Sequence, residues 1–334
     1  MSKKIRIAVD AMGGDNAPES QVLGAIQVAR ERYNKIEVIL VGDEKKIKKI
    51  IKSHNCSLDN LHIVNANEIV TMDDSPSDAF KMKPDSSLTV GLKLQLDGKA
   101  DALISAGNTG AVLSAATLML GRIKGIGRPS IGSFFPTDAG KTMLFDVGAT
   151  VDCRAKHLLE FAIMGSIYMN YMLNIEKPRV GLLSVGEEKS KGNNLTLEAY
   201  KLLESSGLNF IGNVEGRDVL RGKAEIIVCD GFVGNIVLKF AESVLDLLKS
   251  KFKQYADKGL WNKIKVALSY GTLKEVIKDF DYQGYGGVPL LGVNGVAIIG
   301  HGQSTPLAVK NMIIRAQETV SKKVNEKIEE AITK

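Results

Sequence analysis

The chain of 334 residues is poor in cysteine and proline and has a single tryptophan. Cys56, Cys153 and Cys229 are an odd number with no C-x-x-C pair, which argues against a disulfide framework and a structural zinc site. No apolar signal segment follows Met1-Ser2-Lys3-Lys4, so a reduced, cytoplasmic setting is expected. His54, His62, His157 and His301 stand at no metal-ligand spacing, and no metal is expected. A Gly-x-Ser-x-Gly nucleophile elbow is missing, and so is the Gly-x-Gly-x-x-Gly of a dinucleotide site, so no cofactor is expected either. The formal charge of +6 comes mostly from lysine, with no arginine cluster interleaved with aromatics; that suits an acidic partner or ligand better than nucleic acid. Residues 102–121 carry no charge and are long enough to span a bilayer. Ser105, Asn108, Thr109 and two glycines in their middle fit a strand, polar loop and helix instead.

What the chain does have is glycine: 33 residues, many of them at the ends of apolar runs, with 44% hydrophobic and 25% charged residues, as in a globular α/β enzyme. The run Ile104-Ser105-Ala106-Gly107-Asn108-Thr109-Gly110-Ala111 leaves a short strand, crosses two glycines and enters an apolar helix. Glycine lets backbone N–H groups approach a ligand closely, and a helix N-terminus adds partial positive charge, so the loop suits an anion. A second copy, Asp230-Gly231-Phe232-Val233-Gly234-Asn235, follows the strand ending at Cys229. Two such loops suggest two halves of one site, with Gly107, Thr109, Gly110, Gly231 and Gly234 supplying backbone, and Asn108 and Asn235 supplying side chains.

Along the chain, strands are expected at 5–9, 36–41, 61–64, 143–148, 180–185, 210–213, 224–228 and 296–299. The first runs into Asp10-Ala11-Met12-Gly13-Gly14-Asp15, so Asp10 and Asp15 flank a glycine loop at a strand's carboxyl end, where open α/β sheets bind ligands. Asp15 or Asn16 is expected to cap the next helix, with Pro18 in its first turn. Residues 71–87 turn polar, include Lys83 and Ser86, and form a candidate active-site flap. Asp146 joins Asp10 and Asp230 as an acid at a strand tip. Cys229 is a possible nucleophile or inert packing. From 237 to 280 the pattern is one long amphipathic helical stretch, interrupted near Gly259 and Gly271, in which Lys251, Lys253, Trp261 and Lys265 suit an anionic membrane surface, an acidic protein or a dimer partner. Tyr285-Gly286-Gly287 and Gly300-His301-Gly302 follow; His301 is placed either to contact a ligand or to serve the turn. One final helix is expected to bury Val309, Ile313, Ala316, Val320 and Val324. No linker divides the chain, which is taken as one catalytic unit over 1–334 with an inserted helical region at 237–283.

These motifs, together with Gly121-Arg122-Ile123-Lys124-Gly125-Ile126, Asp146-Val147-Gly148-Ala149 and Phe210-Ile211-Gly212-Asn213-Val214-Glu215, closely resemble the bacterial acyl-carrier-protein:phosphate acyltransferases of phospholipid synthesis. The resemblance covers essentially the whole chain. It implies a Rossmann-like α/β/α sandwich like that of isocitrate and isopropylmalate dehydrogenases and phosphotransacetylase, a homodimer, and transfer of a fatty acyl group from acyl carrier protein to inorganic phosphate for a membrane glycerol-phosphate acyltransferase. Asn16 departs from the family pattern, standing where a histidine is expected. Phosphotransacetylase-like use of acyl coenzyme A and a non-catalytic, membrane-attached scaffold remain alternatives.

Overall fold

The β-branched and apolar runs pair into one sheet, seen in a computed structural model that describes residues 4–56, 59–276, 284 and 286–333. The first half runs β1 (Ile5–Asp10), α1 (Glu19–Glu31), β2 (Ile36–Gly42), α2 (Glu44–Ser53), β3 (Leu61–Asn65), α3 (Ala79–Met82), α4 (Ser87–Leu96), β4 (Ala102–Ser105) and α5 (Thr109–Met119). Next come β5 (Ser130–Thr137), β6 (Gly140–Phe145), α6 (Ala155–Leu173), β7 (Val180–Leu183), α7 (Asn194–Glu204), β8 (Phe210–Val214) and β9 (Ile226–Val228). The chain closes with α8 (Gly231–Ala256), α9 (Leu260–Val276), β10 (Val288–Leu291), β11 (Val296–Ile299), α10 (Pro306–Ser321) and α11 (Val324–Ile332).

The strand order is β3-β2-β1-β4-β11-β10-β5-β6-β9-β7-β8. The first five strands of that order are mutually parallel, as are the last four, while β10 and β5 between them pair antiparallel. Helices cover both faces: α4, α5 and the start of α8 pack on one, and α1, α2, α10, α6, α7 and α11 on the other. This is the expected α/β/α sandwich. Strands buried on both faces read as near-continuous apolar runs, which is why β1, β2 and β4 were visible.

Several local expectations differ from what forms. Pro18, not Asp15 or Asn16, occupies the N-cap of α1, without a side-chain cap. Strands β6 and β7 stop at Phe145 and Leu183, because the residues beyond bend into loops. Gly271 does not interrupt α9; with open space around it, only the glycine's small helix cost arises. Lys323 adopts a left-handed φ of 53° and splits the last helix, so Val324 belongs to α11 and packs against α6. The end of the helical region, 277–283, and Tyr285 lie outside the described residues.

Candidate active site

Asp10 leaves the end of β1 only 3% exposed, and its carboxylate joins two segments far apart in sequence. Ser87 Oγ donates to Oδ1 at 2.5 Å and Ser105 Oγ donates to Oδ2 at 2.7 Å, while the Met12 N–H donates to Oδ1 at 3.3 Å. Ser105 Oγ in turn accepts the Gly107 N–H at 3.1 Å. Gly13 must be glycine here, since a Cβ would strike Asp10 Oδ2 and stand 3.0 Å from the Gly107 nitrogen. Gln21 of α1 braces the same loop by donating to the Gly13 carbonyl at 2.6 Å. The Asp15 N–H donates to the Gly302 carbonyl at 2.7 Å, and Asn16 reaches the Ser304 carbonyl at 3.4 Å. Adjacent strand ends β1, β4 and β11 thus bring Asp10, Gly13, Gly14, Asp15, Gly107, Asn108 and exposed His301 together. Burial raises the Asp10 pKa, opposed by the two serines and the backbone donors.

The polar segment is folded over this loop. Asn108 caps α5 through Oδ1, which accepts the Ala111 N–H at 3.1 Å, and its amide donates toward the carbonyls of Thr71 and Met72 at 3.3 Å and Asp74 at 3.4 Å. Pro76 covers Gly110 so closely that a Cβ there would lie 2.9 Å from the ring. Lys83 is engaged inside the flap, on Asp74 at 2.5 Å and the Ile69 carbonyl at 2.8 Å. Ser86 is fully buried as the N-cap of α4, accepting the Thr89 N–H at 3.3 Å. Thr109 stands exposed at the helix start.

The second cluster forms at the ends of β6 and β9. Asp146 is fully buried; Oδ1 accepts the N–H groups of Gly148 at 3.2 Å and Ala149 at 3.0 Å, and Oδ2 accepts that of Thr150 at 2.6 Å. The Thr150 carbonyl accepts the Gly231 N–H at 2.8 Å, and Asp230 caps α8 by accepting the Val233 N–H at 2.9 Å. Asn235 faces Gly148, 3.5 Å from its Cβ position, and its amide has no hydrogen-bond partner among the described residues. Burial and nearby carboxylates push the Cys229 thiol well up and Cys153 up to about 12, so both are thiols at neutral pH and Cys229 is poorly suited to nucleophilic attack. Burial lifts Asp146 from 3.8 to about 6 against its backbone donors. A carboxyl raised in the folded state stabilises fully below its unfolded pKa and less as pH rises through the folded one. Asp146 is therefore expected to remove about 3 kcal/mol of stability between roughly pH 4 and pH 7, at ~1.4 kcal/mol per unit. Urea unfolding at both pH values should show this loss in the native protein and not in Asp146→Asn; equal slopes would disprove it.

Lys251, Lys253, Lys265 and Trp261 lie exposed on α8 and α9. At 1.5 Å per residue, Lys251 stands about 30 Å along α8 from Gly231. The hairpin is apolar as well as basic: Phe240, Trp261 and Leu268 are 69%, 78% and 80% exposed. Sequence reasoning missed Ser87, Gln21 and Thr150, none of which belongs to a local motif. Among the described residues, no group of three or more His, Cys, Asp or Glu side chains is arranged to hold a metal ion.

The family model described as fatty acid synthesis protein matches residues 5–327. A phosphate acyltransferase of Chlorobaculum parvum is 45% identical over 97% of this chain and 98% of the relative. The chain belongs to the phosphate acyltransferase family. Another member, from Pelobacter propionicus, is 47% identical over 98% of this chain and 94% of its own length. Among solved structures, a phosphotransacetylase from Streptococcus pyogenes superposes with a TM-score of 0.64 at 18% identity, covering 96% of this chain and 95% of that one, which shows the shared fold. No helix among the described residues is long and apolar enough to cross a membrane.

Proposed function

We propose that the protein transfers a fatty acyl group from the thioester of acyl carrier protein to inorganic phosphate, giving acyl phosphate for phospholipid synthesis. The observation that carries this reading is near full-length similarity to relatives named phosphate acyltransferase. Bound phosphate is itself the nucleophile. A phosphate oxygen forms a bond to the carbonyl carbon, the carbon–sulfur bond breaks, and the sulfur leaves as the thiol, taking up the proton that the hydrogen phosphate dianion gives up. With a second pKa of about 6, the dianion is available near neutrality without a strong protein base.

The two clusters take different parts. The start of α5 is capped by neutral Asn108 and flanked by Gly13, Gly14, Gly107 and Gly110, which favours an anion. The start of α8 is already capped by the Asp230 carboxylate, which leaves phosphate to α5, while the Asn235 amide, which has no partner among the described residues, serves the thioester oxygen, a donor worth about 3 to 4 kcal/mol in the transition state. Strands β4 and β9 run in opposite senses, yet five sheet steps separate them. Over those five steps a twist of roughly 20 to 25° each turns the two carboxyl-end directions about 100 to 125° toward one another. His301 and Asp15 border the phosphate loop, and Asp146 acts by shaping the turn that faces Asn235. The whole chain works as one catalytic unit in the cytoplasm, as a homodimer, and its helical region at 237–283 carries contact with the second copy or the membrane surface.

Thiol release from acyl carrier protein thioester by the purified protein should require phosphate; release that ignores phosphate would overturn the reaction. Asn235→Ala and Asn108→Ala are each expected to lower kcat/KM about 100-fold, and Asn108→Ala to raise the KM for phosphate as well. Unchanged turnover and phosphate affinity in both would remove the two-loop site.

A further inference from the structure

The motif Gly121 to Ile126 plays no part in the reaction outlined above, yet it forms a built feature. Ile123 N–H donates to the Gly292 carbonyl at 3.0 Å, and a Cβ on Gly125 would meet Ile332 of α11. The segment then lays Gly127 against the start of α6, where its N–H donates to Glu160 Oε2 at 2.8 Å and its Cβ position lies 3.2 Å from the His157 ring. That placement brings Arg128, the next residue, to the start of α6, which is flanked by Arg154 and carries Lys156. Arg128, Arg154 and Lys156 are exposed. Neither guanidinium has a carboxylate partner among the described residues, and Lys156 reaches only Glu160, at 3.7 Å. Exposed Asp152 and the capping Asp230 are the acids of this face.

Apolar surface lies within the same face. The Gly231 N–H to Thr150 carbonyl bond clamps two segments of the chain at 2.8 Å, and the next residue on each, Val151 and Phe232, is more than half exposed, at 56% and 58%. Exposed apolar side chains bordered by exposed cations, of which Arg128 and Arg154 have no carboxylate partner among the described residues, fit an amphipathic, acidic helix, in which carboxylates steer approach and a few apolar side chains supply contact. We propose that this face, with Val151 and Phe232 at its centre and Arg128, Arg154 and Lys156 at its margin, docks an acidic helix of the carrier protein that delivers the thioester. This rests on the carrier-protein reaction proposed above. It separates the carrier from the lysines of α8 and α9, which lie among a far larger apolar surface.

The test is steady-state turnover by the full chain with palmitoyl-carrier protein and with palmitoyl-phosphopantetheine, for the native protein and for Arg128→Glu/Arg154→Glu/Lys156→Glu. The variant is expected to raise the KM for the carrier thioester about tenfold or more and to flatten its salt dependence, while kinetics with the small thioester and with phosphate stay unchanged. Phe232→Ala, which alters no charge, should raise the carrier KM with its salt dependence kept. An unchanged carrier KM overturns the proposal, as does an equal loss with both thioesters. It is overturned too if Lys251→Glu/Lys253→Glu/Lys265→Glu raises the carrier KM instead, or if the first variant loses only binding to phosphatidylglycerol vesicles. Should the native protein release no thiol from carrier thioester, the reaction itself fails, a result distinct from all of these.

Discussion

Gly234→Ala is expected to destabilise the protein by about 3 kcal/mol or more, the cost of forcing an atom into packed backbone. A Cβ at 234 would collide with the Asp146 carbonyl oxygen, lie 2.9 Å from its carbonyl carbon, and stand 3.0 Å from Cys229 Sγ. None of these neighbours is the free end of a flexible side chain. Asp146 is held by three backbone N–H groups, and Cys229, directly after β9, is itself buried. Relief therefore requires α8 to back away, which breaks the clamp between Gly231 and Thr150. Gly271→Ala makes the control: it sits mid-helix in α9 with open space around its Cβ position, and should stabilise by up to about 1 kcal/mol. Urea unfolding of the two variants decides it. Similar midpoints for both would mean that α8 has room beside Asp146.

Asp10→Asn is expected to lower kcat about 100-fold, the scale on which a displacement of around an ångström acts, with a smaller effect on folding. The carboxylate is buried behind Gly13 and reaches the glycine loop through Ser105, so Asp10 is expected to act by positioning that loop. An amide offers one acceptor where the carboxylate receives two serines and a backbone N–H; the hydroxyls can rotate, but the Ser105 to Gly107 contact loses its fixed direction. Ser105→Ala should reproduce most of the loss. The double variant should then be little worse than either single one, because one chain of contacts is broken once. Fully additive losses would show that Asp10 acts on the substrate directly.

How much of this was legible depended on distance along the chain. The run from Ile104 to Ala111 contains a strand, its loop, its cap and its helix, so eight consecutive residues reveal the unit. The same holds for Asp230 and α8. By contrast, Ser87 meets Asp10 across 77 positions, and nothing near either residue signals the pairing. Asp146 and Ser86 carry the chemistry of ligand contacts, and only burial reveals that backbone amides and a helix end already occupy them. Strand β10 went unseen because it is four residues long with Pro289 inside, and β5 because Gly132 and Pro136 interrupt its pattern. The split at Lys323 has no glycine or proline to announce it. Family resemblance supplied the fold class and the chemistry, which periodicity could not.

Helix α8 begins at the Asp230 cap and runs 26 residues without a break. At 1.5 Å per residue it is a stiff spoke about 39 Å long, pivoting at its first residue, Gly231, whose N–H is held by the Thr150 carbonyl. A tilt of about 5° moves its outer end by roughly 3 Å, but shifts Asn235, some 6 Å from the hub, by only about half an ångström. Half an ångström is also the tolerance within which a catalytic constellation must be held. A displacement at the far end of α8 would thus reach Asn235 reduced about sixfold, to that same half ångström.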